Sequence, residues 1–163
     1  MYTIRFAQPG DETTIMQLVN ELADYENALD EVKATPEMLA EWLFQRAKGP
    51  ECLLLAEDGR DVGMALFFHN FSTWLGKGGI YLEDLFVKPE CRGKGYGQAL
   101  LRQLARIALE RGCGRVEWAC LNWNEPSIGF YKSLGAQPMS EWTTYRLAGE
   151  TLQAMADRII EQE

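Results

Sequence analysis

Residues 81–98 read Tyr81-Leu82-Glu83-Asp84-Leu85-Phe86-Val87-Lys88-Pro89-Glu90-Cys91-Arg92-Gly93-Lys94-Gly95-Tyr96-Gly97-Gln98. The first part has the residues of a β-strand, predicted over 80–87 and stopped by Pro89. Gly93, Gly95 and Gly97 then open a long helix that carries Leu100, Leu101, Leu104, Ile107, Ala108 and Leu109 and ends at Gly112. Glycines between a strand and a helix let the backbone approach a ligand and turn its amide N–H groups outward. The helix amino terminus adds partial positive charge, and Arg92 and Lys94 add more, so the loop suits a pyrophosphate. Taken alone, a glycine turn without a ligand would look the same.

Three ligand classes use loops of this kind. A Walker A loop needs G-x-x-x-x-G-K followed by Ser or Thr, an order that does not occur here. A dinucleotide fingerprint needs G-x-G-x-x-G after a first strand, whereas these glycines are spaced two and two in mid-chain. The third pattern, [Gln/Arg]-x-x-Gly-x-[Gly/Ala], is the one acyl-CoA acetyltransferases use, and Arg92, Gly95 and Gly97 match it.

Working outward, a short strand is expected over 2–6, then a helix that Asp11 can cap, with Ile15, Met16, Leu18, Val19 and Leu22 on one face. Thr35-Pro36 announces a second helix with the stripe Leu39, Trp42, Leu43. Residues 52–56 read as a strand that turns at Asp58-Gly59 and returns over 62–68. Residues 71–79 read as a loop. After the long helix come a strand over 116–121, a short helix over 126–134, a strand over 144–147 and a terminal helix opened by Thr151. No repeat or linker interrupts this order, so residues 1–163 are expected to form a single mixed α/β domain.

The chain has 163 residues, 47% hydrophobic and 25% charged, as expected for a soluble domain. Its net charge of −8 argues against a nucleic-acid partner, which would call for a basic stripe, and suits attraction of cations such as protonated amines. No apolar run is long enough to cross a bilayer and no leader pattern opens the chain, so a cytoplasmic location without membrane association is expected. Cys52, Cys91, Cys113 and Cys120 form no C-x-x-C pair, and the single histidine, His69, is not close to them in sequence, so no metal site is expected.

Trp123-Asn124-Glu125-Pro126-Ser127 and Phe130-Tyr131-Lys132 follow on the next unit. With Tyr81-Leu82-Glu83-Asp84 and the glycine loop, they make the chain resemble the GNAT superfamily of N-acetyltransferases over nearly its whole length. Within it, the chain resembles the branch that acetylates polyamines and thialysine. The resemblance implies a central twisted, mostly antiparallel sheet flanked by helices, a homodimer, and acetyl-CoA as co-substrate without a metal. It also implies site roles. The backbone amides of Leu85, Phe86 and Val87 would hold the pantetheine arm and polarise the acetyl carbonyl. Arg92, Gly93, Lys94, Gly95, Tyr96, Gly97 and Gln98 would cradle the pyrophosphate, and Asn124, Glu125, Pro126 and Ser127 would make a second contact with CoA. Tyr131 would lie near the sulfur as general acid. Glu83 would bind the amine and relay its proton. Because alternate strand residues face opposite sides, only one of Glu83 and Asp84 should face the site, and Glu83 is favoured.

Tyr25 and Glu26 match substrate-lining positions of the branch, as do Ser72, Thr73 and Trp74. Polyamine enzymes carry an aspartate where this chain has Ser72, so a small thialysine-like or lysine-like amine is expected as substrate. Polyamines remain the alternative, followed by a protein lysine or a non-catalytic acyl-CoA-binding role.

Overall fold

The computed structural model describes residues 1–158, so the last five residues of the expected 1–163 domain lie outside the described residues. The chain resolves into two compact units, residues 1–119 and residues 120–163.

The first unit is built on a five-stranded sheet in the order β1-β2-β3-β4-β5. Its strands are β1 (Tyr2–Phe6), β2 (Glu51–Glu57), β3 (Arg60–Ser72), β4 (Lys77–Val87) and β5 (Val116–Trp118). The first four pair antiparallel and β5 joins β4 in parallel, as the mostly antiparallel sheet expected. Two helices cover opposite faces. On one, α1 (Glu12–Tyr25) packs Ile15 and Leu18 against Cys52, Leu54, Met64, Leu66 and Phe86, with Leu39 and Leu43 from the α2 region closing the cluster. On the other, α3 (Tyr96–Glu110) lies close enough to β3 that a Cβ on Gly63 would touch Leu100 Cδ1 at 3.6 Å. Gly63 and Met64 are consecutive, and strand alternation sends them to the two faces.

Local chemistry accounts for the helix starts. Thr35 Oγ1 accepts the Met38 N–H at 3.2 Å with Pro36 at the first turn, so α2 (Pro36–Ala40) is capped as expected. Asp11 stands at the N-cap of α1 without capping it. Its carboxylate instead accepts from Arg5 at 2.6 Å and from the Gln8 N–H at 2.8 Å.

Three further sequence expectations are corrected in this unit. Trp42 does not share the half-buried stripe of Leu39 and Leu43. The chain widens there into a π-turn over Glu41–Gln45, which changes the angular step, and Trp42 is 49% exposed beneath the Arg46 guanidinium. The loop expected over 71–79 is mostly strand, because β3 and β4 continue as a hairpin to the pair Ser72 and Lys77. Gly78 and Gly79 sit inside β4, and at Gly79 a Cβ would collide with the Asn70 side chain, so glycine here serves close packing rather than a turn. β5 ends at Trp118, short of the strand expected to reach Leu121.

The second unit contains α4 (Glu125–Ser133) and α5 (Gly149–Ala156). Asn124 Oδ1 accepts the Ser127 N–H at 3.4 Å and caps α4, and Gly135 after its end has φ +84°. The strand expected over 144–147 is absent. Residues 143–148 are irregular and exposed, and no neighbour within this unit offers them a ladder.

Candidate active site

The site starts where β4 leaves the sheet. β5 pairs only with residues Ile80, Tyr81 and Leu82, so among the described residues no strand covers that edge of β4 from Glu83 to Val87. Just beyond it, the Lys88 N–H donates to Val62 O at 2.9 Å, which sets the phase of the antiparallel ladder. In that phase the Phe86 N–H points towards β3, while Leu85 and Val87 face the open edge. The three consecutive amides expected to act together therefore divide. Leu85 and Val87 remain available, and Phe86 is spent on the sheet, its side chain in the core cluster. The buried Lys88 also donates from Nζ to Glu21 at 2.8 Å, clamping α1 to this end of β4.

After a short 3-10 turn (Pro89–Cys91) the glycine loop begins. Gly93 and Gly95 have φ +78° and +81°, in the left-handed region, and a Cβ at either would meet nothing within 4 Å. The glycines are thus required by the backbone conformation, and the loop faces open space. Among the described residues no backbone acceptor takes the N–H groups of residues 93–98, which are the orphan donors of the α3 amino terminus and its approach. An anion that lies along the loop would find these donors and the helix dipole already aligned.

The two cations beside the loop are already engaged. Arg92 Nε donates to Val87 O at 3.0 Å, and its guanidinium lies 4.8 Å from the Tyr25 ring centroid and 5.7 Å from that of Phe86. Lys94 Nζ binds Glu57 Oε1 at 2.6 Å, and Tyr96 OH donates to the same oxygen. These donors, Lys94 first, hold the Glu57 carboxyl down to about 2.

Arg92 brings the end of α1 to the site, and with it Glu26, which joins Glu83 and Asp84 of β4 as a third carboxylate. The register of β3 and β4 shifts so that Leu66 opposes Asp84 and Phe67 opposes Leu82, leaving Glu83 as the extra residue of a β-bulge. The bulge undoes the alternation used to choose between the two acids. Asp84 takes the sheet face of Leu66 and Phe86, towards α1, and the bulged Glu83 is exposed. Burial first, then the charges of Glu83 and Glu26, pushes the Asp84 carboxyl up to about 6. Burial also raises Glu26. Tyr25, Glu26, Glu83, Asp84 and Arg92 thus form one neighbourhood. Alternation favoured Glu83 over Asp84 because a bulge has no local signature; only pairing reveals it.

Ser72, Thr73 and Trp74 are not part of this group within one chain. They occupy the far tip of the β3–β4 hairpin, where the Ser72 hydroxyl accepts the Leu75 N–H at 3.2 Å and is 7% exposed. Six residue steps of strand lead from Lys77 to Glu83, a run of about 20 Å. The Ser72 hydroxyl serves the turn. Trp74 is 88% exposed.

In the second unit, residues Asn124, Glu125, Pro126 and Ser127 form the capped first turn of α4. Tyr131 lies on the same helix with its ring 5.5 Å from that of Phe130, and is half-buried. Among the described residues there is no group of three His, Cys, Asp or Glu side chains that could hold a metal ion, and no helix long and apolar enough to cross a membrane.

The model of the acetyltransferase (GNAT) family matches residues 15–136. Thialysine N-epsilon-acetyltransferase of Bos taurus is 38% identical over 166 residues, spanning 95% of this chain and 97% of that protein. The spermidine/spermine N(1)-acetyltransferase-like protein 1 of Homo sapiens is 32% identical over 95% of this chain and 24% of its own length. Among solved structures, an integron cassette protein from the mobile metagenome of V. cholerae superposes with a TM-score of 0.81 at 28% identity, covering 96% of this chain and 98% of its own.

Proposed function

The chain belongs to the GNAT acetyltransferase family, and we propose that it moves the acetyl group of acetyl-CoA to the side-chain amine of a small amino acid of the thialysine or lysine kind. The observation that carries the reading is the neighbourhood of Tyr25, Glu26, Glu83 and Asp84 beside a loop whose amides are free for a pyrophosphate. The family match crosses the boundary between the two compact units, which supports a single acetyltransferase domain over residues 1–163.

In this reading, amides 93–98 and the α3 amino terminus hold the pyrophosphate, and residues 124–127 add the second contact implied by the resemblance. The Leu85 and Val87 N–H groups bind the pantetheine arm, and one of them takes the carbonyl oxygen as negative charge develops. The amine, with an ordinary pKa of about 10, arrives as a cation. The carboxylates attract it, and Asp84, with Glu83 through water, accepts its proton. Raising Asp84 to about 6 makes it a stronger base than an ordinary aspartate while it stays ionised at neutral pH. The freed lone pair attacks the thioester carbonyl, the C–S bond breaks, and the thiolate takes a proton from Tyr131, whose phenol is restored by the second proton that the nitrogen sheds as the amide forms.

The favoured substrate rests on the relative named thialysine N-epsilon-acetyltransferase, which this chain matches over 95% of its own length. Three carboxylates around one amine favour a second reading, a di- or polyamine, whose several positive charges they would also hold. Assay of free thiol release from acetyl-CoA with thialysine, lysine, spermidine and a lysine peptide separates these. We expect thialysine or lysine to exceed spermidine in kcat/KM by about tenfold or more. Spermidine in first place would transfer the protein to the second reading, and no release with any amine would overturn both.

A homodimer and a cytoplasmic location complete the proposal. For the dimer, the support is apolar surface exposed at the hairpin tip (Phe71, Trp74, Leu75) and in the second unit (Trp142, Tyr145).

A further inference from the structure

Resting on the acetyl-CoA reading above, we propose that Glu57 is the positioning residue of the glycine loop, and that Lys94 acts as its counter-charge rather than as a ligand of the pyrophosphate. Glu57 ends β2 directly before the Asp58-Gly59 turn and is paired on both sides, with Tyr2 of β1 and Arg60 of β3. Its backbone is therefore among the best fixed near the loop. From there one carboxylate grips the loop at three points. Oε1 accepts Lys94 Nζ at 2.6 Å and Tyr96 OH at 2.5 Å, and Oε2 accepts the Cys91 thiol at 3.5 Å. These donors alternate with Gly93 and Gly95, which have no side chains to anchor and whose amides have no backbone acceptor. Tyr96, the first residue of α3, is buried and packs its ring 5.3 Å from that of Tyr2. The left-handed turns at Gly93 and Gly95 are thus held from outside, through residues 91, 94 and 96.

The arrangement has an electrostatic cost. A carboxylate beside an anion-binding loop repels a ligand that carries a pyrophosphate and a further phosphate. The strong donors around Glu57 keep it ionised throughout the neutral range, so the repulsion does not titrate away. Lys94 offsets it. Its Nζ is bound to Glu57 at short range, and the attraction left for the ligand comes from the loop amides and the helix dipole. Loss of Lys94 would leave the carboxylate's charge at the loop without a counter-charge. Loss of both charges would restore neutrality, and the side-chain amide oxygen introduced by Glu57→Gln could still accept from Tyr96.

The test is CoA affinity measured by calorimetry in wild type, Lys94→Met and Glu57→Gln/Lys94→Met. We expect Lys94→Met to weaken binding by about tenfold, and the double variant to return to within about threefold of wild type. A double variant as weak as Lys94→Met would make Lys94 a direct phosphate ligand and overturn the proposal. A second readout needs no ligand. In Glu57→Ala, alkylation of Cys91 by N-ethylmaleimide, followed by peptide mass and taken at the high-pH plateau where the thiol is fully ionised, should accelerate by about tenfold, with Tyr96→Phe between it and wild type. Cys52, buried in the sheet, reports global opening and should keep its wild-type rate. Unchanged Cys91, or equal acceleration of Cys91 and Cys52, would refute the positioning role. Failure of the wild type to bind CoA would remove the acetyl-CoA reading and the counter-charge role together, while the thiol rates alone would decide whether Glu57 positions the loop.

Discussion

Replacing Asp84 by Asn tests the carboxylate neighbourhood most sharply, because it should move stability and activity in opposite directions. The aspartate is displaced from its ordinary 3.8 to about 6, mainly by burial and then by Glu83 and Glu26. That displacement corresponds to about 3 kcal/mol of preference for the protonated form in the folded state. The folded-state pKa is raised, so the favourable contribution is fully present below the unfolded pKa and is lost as pH rises through the folded value of about 6. Above it, the native state bears the cost of a buried carboxylate among like charges. Asn removes that charge with little change of shape. Urea unfolding of Asp84→Asn and wild type from pH 4 to pH 8 should then show the variant more stable at pH 8 by about 2–3 kcal/mol, with the gap closing towards pH 4. Turnover should fall by about 10²-fold, and the rise of kcat/KM through the Asp84 pKa should vanish. A stability difference that does not change with pH, or a variant that keeps both its turnover and the acid limb, would refute the assignment.

Gly95→Val places a β-branched residue at φ +81°, and we expect about 1–2 kcal/mol of destabilisation and at least about tenfold weaker CoA binding by calorimetry. Unaltered affinity in the folded variant would remove the loop from the cofactor site. Tyr131→Phe deletes the proposed proton donor at nearly constant volume, so single-turnover rates should drop by about 10²-fold while CoA binding persists. Wild-type rates would end that role. Light scattering at micromolar concentration should give a dimer mass, and Trp74→Asp at the exposed hairpin tip should shift it towards monomer. A monomeric wild type would discard the dimer.

What the sequence determined by itself was the part of the protein built from local signals. The strand, the glycine loop and the amphipathic α3 follow one another within about thirty residues, and each is specified by its own spacing of apolar residues, proline or glycine. Thr35-Pro36 and Asn124 announce their helices for the same reason, since a cap closes its hydrogen bond three residues away. Tertiary structure alone decided the features that depend on which chain segment lies opposite. The shift that makes Glu83 a bulge and turns Asp84 towards α1 exists only in the pairing of β4 with β3. Glu57 showed no motif, because its partners Lys94 and Tyr96 lie 37 and 39 residues away and reach it only once β2 and the start of α3 are packed side by side. Periodicity and capping are energies between near neighbours and can be read along the chain. Register, burial and the raised pKa of Asp84 are energies between segments that meet only in the fold.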